Sequence, residues 1–168
     1  GKFQLKAGMW TDDTSMALCL AESLLICKGF DADDQMRRYL RWIDEGYYSS
    51  KDHAFGLGKT VINALFRYRK TGNPYSGRAE SRYSGNGSLM RLAPIAIYYR
   101  NNPLQAWKYA SLSSKTTHAS PECIQAYQYF CYVLLNALVG KHKRLLFDIQ
   151  EVSELSCLTS IVSCDFFN

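Results

Sequence analysis

Apolar residues recur at intervals of three and four along most of this chain and almost nowhere at intervals of two, a pattern that predicts helices and hardly any strand. From Asp12 to about Lys28, Met16, Ala17, Leu20, Leu24 and Cys27 share one face, and Gly29 stands where a left-handed stop belongs. Asp31 is a candidate N-cap for a second helix, with Asp33 and Asp34 in its positive first turn. Its stripe of Met36, Tyr39, Leu40 and Ile43 ends at Gly46. A third helix is expected over Lys59 to Arg69, with Val61, Ala64, Leu65 and Tyr68 inward, before Gly72-Asn73-Pro74 breaks it.

A long polar loop from Gly72 to Gly87 leads into an apolar helical run from Ser88 to Tyr99, with a kink expected at Pro94. Pro103 and Pro121 suit first-turn positions, where a missing N–H costs nothing, and so predict two more helices. The last, Pro121 to Val139, is the most apolar segment. A broad buried face of Cys123, Ala126, Tyr127, Phe130, Leu134 and Leu138 marks it as a central helix. Beyond Leu146, hydroxyl residues interleave with short apolar pairs. The expectation is one all-α domain over residues 1–146, followed by a poorly specified tail over residues 147–168.

Composition narrows the class. With 47% hydrophobic and 21% charged residues among 168, the chain has enough apolar surface to demand a core, which excludes disorder as its main state. No apolar stretch approaches the ~20 residues that cross a bilayer, and the first residues lack the apolar centre of a signal peptide. No membrane association is expected. None of the six cysteines is paired at metal or redox spacing, so they are expected to be reduced core residues of a cytoplasmic protein. The net charge of +5 could attract an anionic ligand. The one dense basic run, Lys141-His142-Lys143-Arg144, is expected to be a solvated surface, and nucleic-acid binding is not expected because basic and aromatic residues do not interleave along one face.

Four segments could carry chemistry. Trp10-Thr11-Asp12-Asp13-Thr14 places two adjacent carboxylates between hydroxyls at a helix start. Ordinary capping accounts for one Thr and one Asp, whereas an oxygen-only group with repelling neighbours also suits a hard cation such as Mg²⁺. Both readings stay open on the residues alone. Ser84-Gly85-Asn86-Gly87-Ser88-Leu89-Met90-Arg91 is a glycine-flanked turn that either holds an anion on its N–H groups or is a turn with a Ser cap. Gly56-Leu57-Gly58-Lys59-Thr60 ends like a phosphate-binding P-loop, but that motif needs glycine where this chain has His53, so the P-loop is excluded. His118, after Thr117, is a lone histidine that needs other context to count as functional.

Taken in order, Trp10 to Ala17, Phe55 to Thr60, Ser84 to Pro94 and Thr117-His118 resemble the ADP-ribosylglycohydrolase family, over roughly Phe3 to Leu146. The resemblance implies an all-α fold and a Mg²⁺-dependent cleft that cleaves the bond between an anomeric ribose carbon and its acceptor, releasing ADP-ribose. It assigns Thr11, Asp12 and Asp13 to the metal, with Asp12 and Asp13 also the catalytic carboxylates. It assigns Gly85, Asn86, Gly87 and Ser88 to the loop that holds ADP-ribose, and His118 to the wall of the same cleft. The expected partner is ADP-ribose or an ADP-ribosylated macromolecule.

Three features depart from the family pattern. Its glycine-rich first helix has no counterpart before Thr11, and its late Asp-x-Asp-Thr segment has none after Gly140, where Asp148 and Asp165 stand alone. Many members carry Asp where this chain has Gly56. A member truncated at both ends is expected, with half of the metal ligands. The alternative is a non-catalytic helical module that binds ADP-ribose-like ligands or a protein partner, including a second copy through an uncovered apolar face.

Overall fold

The computed structural model describes residues 3–146. Six α-helices follow in order: α1 (Asp12–Ile26), α2 (Ala32–Glu45), α3 (Lys59–Thr71), α4 (Ala93–Tyr98), α5 (Pro103–Lys115) and α6 (Pro121–Leu138). No strand occurs among the described residues, so the all-α expectation holds. The expectations for Cys157, Cys164, Asp148 and Asp165 fall outside the described residues.

Local chemistry sets most helix ends. The Asp31 carboxylate accepts from the backbone N–H groups of Asp33 and Asp34, each at 2.9 Å, and so caps α2 as expected. Gly46 stops α2 at φ +69°, where a Cβ would stand 2.8 Å from the Asp52 carbonyl oxygen, so only glycine fits. Asn102 and Ser120 cap α5 and α6, and Pro103 and Pro121 occupy their first turns. At the end of α1 the left-handed residue is Lys28, at φ +55°, while Gly29 donates its N–H back to Leu24 O at 3.0 Å. The stop expected at Gly29 therefore begins one residue earlier.

The run from Ser88 to Tyr99 is not a single kinked helix. A 3₁₀ turn over Leu89–Arg91 precedes the short α4, and Pro94 lies in the first turn of α4, where it starts a helix rather than bending one.

Two apolar clusters form the core, and α1 belongs to both. Leu20 and Leu24 of α1 pack with Ile95 of α4 and its flanking residues Leu92 and Tyr99, and with Ala106, Ala110, Tyr127 and Cys131 from α5 and α6. Met16 and Cys19, one turn nearer the start of α1, pack with Met36, Tyr39, Trp42, Val61, Leu65 and Tyr68 from α2 and α3. Each fully buried leucine adds about 2 kcal/mol. The central helix is thus α1, not α6, on which Phe130 and Leu138 are 39% and 47% exposed. The Val61, Ala64, Leu65 and Tyr68 face of α3 is buried as expected, whereas on α2 Trp42 and Gln35 are buried and Leu40 and Ile43 only partly so.

Cys19, Cys123 and Cys131 are buried and free, but Cys27 is exposed, because α1 turns its last residues out of the core. An ion-pair group ties α1 to α2: Arg38 of α2 binds Asp34 at 2.6 Å and also Glu22 of α1. His142, Lys143 and Arg144 are exposed, as expected of a solvated run. No helix among the described residues is long and apolar enough to cross a membrane.

The long loop between α3 and α4 is pinned against the α5–α6 connection. Gly77 donates to Lys115 O at 3.0 Å, and Ala119 donates to Arg78 O at 3.2 Å. A Cβ on Gly77 would stand 2.7 Å from Lys115 O, so the absence of a side chain allows this approach. It carries the Ser84–Ser88 segment to His118.

Candidate functional site

The start of α1 is held open to one side. Trp10 Nε1 donates to Tyr48 O at 3.0 Å, and Ser50 Oγ donates to Trp10 O at 2.5 Å, which anchors the chain entering Thr11. Thr11 occupies the N-cap position but its side chain caps nothing. Its hydroxyl instead donates to the Asp13 carboxylate at 2.7 Å. Thr11 and Asp13 therefore form an oxygen cluster beyond what helix capping requires.

Asp12 and Asp13 face a cleft of about 300 Å³. Burial, and then the neighbouring charge of Asp13, push the Asp12 carboxyl above its usual range. Neither carboxylate forms an ion pair among the described residues, and no group of three or more His, Cys, Asp or Glu side chains gathers to hold a metal there. Gly56, at φ +78°, abuts Asp12 directly, and a Cβ on it would stand 2.4 Å from Asp12 Oδ1. Lys59 and Thr60, from the first turn of α3, complete this wall.

The opposite wall is the glycine loop. Gly85, Asn86, Gly87, Met90 and His118 line it. Gly85 is fastened from behind by Cys123, whose thiol lies 3.4 Å from both the Gly85 N–H and its carbonyl. Among the described residues, no acceptor takes the N–H of Asn86 or of Gly87, so both are available to a ligand. Ser88 is fully buried, its Oγ 3.1 Å from Ser114 Oγ, so its hydroxyl is turned inward from the cleft.

His118 reaches the cleft from the α5–α6 connection, and its ring fits only because position 87 is glycine. A Cβ there would lie 2.8 Å from His118 Cε1. Burial, and then the Arg91 charge, lower its pKa to about 4, so the ring is neutral at pH 7. The Thr117 hydroxyl lies 2.9 Å from His118 Nδ1.

The structure thus brings Asp12, Asp13, Gly85, Asn86, Gly87 and His118 to one cleft, with Thr11 bound to Asp13 just beside it and Ser88 behind the wall. Sequence analysis placed Cys123 on the buried face of α6 and gave no separate role to Arg91 or Gln35; Cys123 and Arg91 hold the loop at Gly85 and Gly87, and Gln35 shares the Thr116 hydroxyl with Arg91. A signal for Arg91 existed: it is a charged residue between Met90 and Leu92 in an otherwise apolar run.

Comparison with known proteins gives this cleft its relatives. The family model described as ADP-ribosylglycohydrolase matches residues 1–160. The chain belongs to the ADP-ribosylglycohydrolase family. Within that family it is 35% identical over 147 residues to the ADP-ribosylarginine hydrolase Tri1 of Serratia proteamaculans, a match that covers 88% of this chain and 40% of that protein. It is 34% identical over 124 residues to the human ADP-ribosylhydrolase ARH3, covering 71% of this chain and 33% of the relative. A chain of a solved ADP-ribosylglycohydrolase-related protein complex superposes with a TM-score of 0.73 at 44% identity, over 87% of this chain and 46% of that one. This chain therefore spans less than half the length of each of these family members.

Proposed function

We propose that the cleft binds the ADP-ribose portion of an ADP-ribosylated substrate and belongs to a site that hydrolyses the bond between the anomeric ribose carbon and its acceptor. The observation that carries this reading is the meeting, across one cleft of about 300 Å³, of an acidic oxygen cluster with the Asn86 and Gly87 N–H groups, which have no acceptor among the described residues. The volume suits a small ligand, and the loop's N–H groups suit a diphosphate. The relatives' names as ADP-ribosyl hydrolases support the same chemistry.

The donor chemistry fits a hard divalent cation such as Mg²⁺, because Thr11, Asp12 and Asp13 offer only oxygen and the two carboxylates form no ion pair among the described residues. When bound, such an ion would orient ribose hydroxyls and stabilise developing charge. The chain's own part is then plain. Asn86 and Gly87 donate their N–H groups to phosphate oxygens, and His118 closes the wall behind them as a neutral ring. Asp12 and Asp13 would hold the cation, and one of them orients the attacking water. That water gives its oxygen to the anomeric carbon and a proton to the leaving acceptor, which leaves ADP-ribose and the free acceptor.

One observation favours a second reading, a binding module without hydrolysis. Asp12 and Asp13 are the only carboxylates lining the cleft among the described residues, which leaves a hard cation short of protein ligands. An apolar groove of about 220 Å³ between α1 and α4, lined in part by Leu18, Ala21, Pro94 and Ile97, adjoins Asp13. In this reading a second copy covers it, and a sedimentation coefficient that stays constant with concentration counts against that.

Calorimetry of ADP-ribose with and without millimolar Mg²⁺, on the protein and on Asp12→Asn/Asp13→Asn, tests both readings. Binding strengthened by Mg²⁺ and lost in the variant supports the cation site, and release of ADP-ribose from an ADP-ribosylated protein then decides for hydrolysis. No heat under any condition ends ADP-ribose binding in both readings and leaves the second-copy contact to sedimentation.

A further inference from the structure

Behind the glycine loop lies a cation that no carboxylate among the described residues balances. Arg91 is fully buried, yet among the described residues no carboxylate pairs with it. Among the described residues its guanidinium donates to neutral oxygens: Gly87 O at 3.4 Å, Ser113 O and Thr116 Oγ1 each at 3.1 Å, and Thr117 Oγ1 at 2.8 Å. It also lies 4.9 Å from the centre of the Tyr39 ring. Its Nε is buried without a partner, and so is Oε1 of the adjoining Gln35, whose Nε2 lies 3.3 Å from the same Thr116 hydroxyl. Dipoles lower the cost of burying this charge but leave the charge itself in place.

From this arrangement we propose that Arg91 is a positioning residue that makes the glycine loop selective for anions: it supplies a fixed positive charge one residue behind the cleft wall, and the ligand's phosphates supply the missing counter-charge. The proposal rests on the reading that ADP-ribose occupies the cleft. Two paths carry the effect. The Gly87 carbonyl accepts from Arg91 at 3.4 Å, which ties the loop backbone that lines the cleft directly to the cation. Arg91 also donates to the Thr117 hydroxyl that contacts His118 Nδ1, so the ring that lines the cleft is set by the same cation. In a water-poor wall the field of such a charge reaches the cleft with little screening.

Gln35 offers a test that separates charge from packing. Replacing it with Glu keeps the side-chain shape and places a carboxylate inside the Arg91 network, where Tyr39, Ser113 and Thr116 hydroxyls lie 3.1–3.3 Å from the present amide nitrogen. Calorimetry would compare ADP-ribose with uncharged adenosine on the unaltered protein, Gln35→Glu, Arg91→Lys and Arg91→Met, with thermal unfolding alongside. The expected result for Gln35→Glu is about a tenfold loss of ADP-ribose affinity, adenosine affinity changed less than about twofold, and a Tm no lower than that of the unaltered protein. Arg91→Met should lose the preference for ADP-ribose and Arg91→Lys should retain part of it. If Arg91→Met does not fold, the other two variants decide. Unchanged preference in Gln35→Glu, or equal losses for both ligands, overturns the role of Arg91 while leaving the ADP-ribose reading intact. Absence of ADP-ribose binding by the unaltered protein overturns both.

Discussion

The Asp12 carboxylate occupies the space that a side chain at position 56 would fill: a Cβ on Gly56 would stand 2.4 Å from Asp12 Oδ1 and 2.9 Å from its Cγ. The two residues are far apart in the chain, one at the start of α1 and the other just before α3, and their contact closes one end of the cleft.

Gly56→Ala should therefore displace Asp12 as well as strain a backbone at φ +78°. We expect a stability loss of about 1–2 kcal/mol and the loss of any Mg²⁺ enhancement of ADP-ribose binding. Urea unfolding and calorimetry check the two parts, and a variant that keeps the Mg²⁺ enhancement would show that Asp12 does not depend on this gap.

Gly87→Ala meets His118 at 2.8 Å from Cε1, so the ring must move. The expected outcome is weakened ADP-ribose binding with a changed His118 ring signal in NMR spectra. An unmoved ring with full affinity contradicts the packing described for the loop.

His118 carries a pH dependence whose sign is fixed by its depressed pKa of about 4 in the fold. The unfolded chain takes up a proton near pH 6.5 that the folded chain refuses until about pH 4. The contribution is thus complete above pH 6.5 and is lost as pH falls through this window, by up to about 3 kcal/mol. His118→Gln should flatten the stability profile between pH 6.5 and 4 relative to the unaltered protein. Parallel profiles would count against a neutral buried ring.

The place of α1 between the two core clusters predicts a contrast. Leu20→Ala, at a side chain with no exposure, should cost about 2–5 kcal/mol, whereas Leu138→Ala on α6, at 47% exposure, should cost less than about 1 kcal/mol. Denaturant midpoints measured side by side decide it, and equal losses would restore α6 as the centre.

Sequence alone determined most of the helices and pointed to the candidate chemistry, because both depend on neighbours a few residues apart. Asp31 caps its own helix, Gly46 and Gly72 accept the left-handed turns that end α2 and α3, and Pro103 and Pro121 start theirs. The Thr11-Asp12-Asp13 cluster and the Gly85–Gly87 loop were visible for the same reason. Periodicity failed where it had to choose among apolar faces: it marked Cys27, Phe130 and Leu138 as buried, since a stripe shows which residues share a face but not what lies opposite. Only the tertiary structure decided that α1 is central, that Gly56 meets Asp12, that the Ser88 hydroxyl turns inward, and that Arg91 is enclosed behind the loop it supports. Each of these is a contact between segments distant in the chain, and burial is a property of such contacts rather than of the residue that is buried.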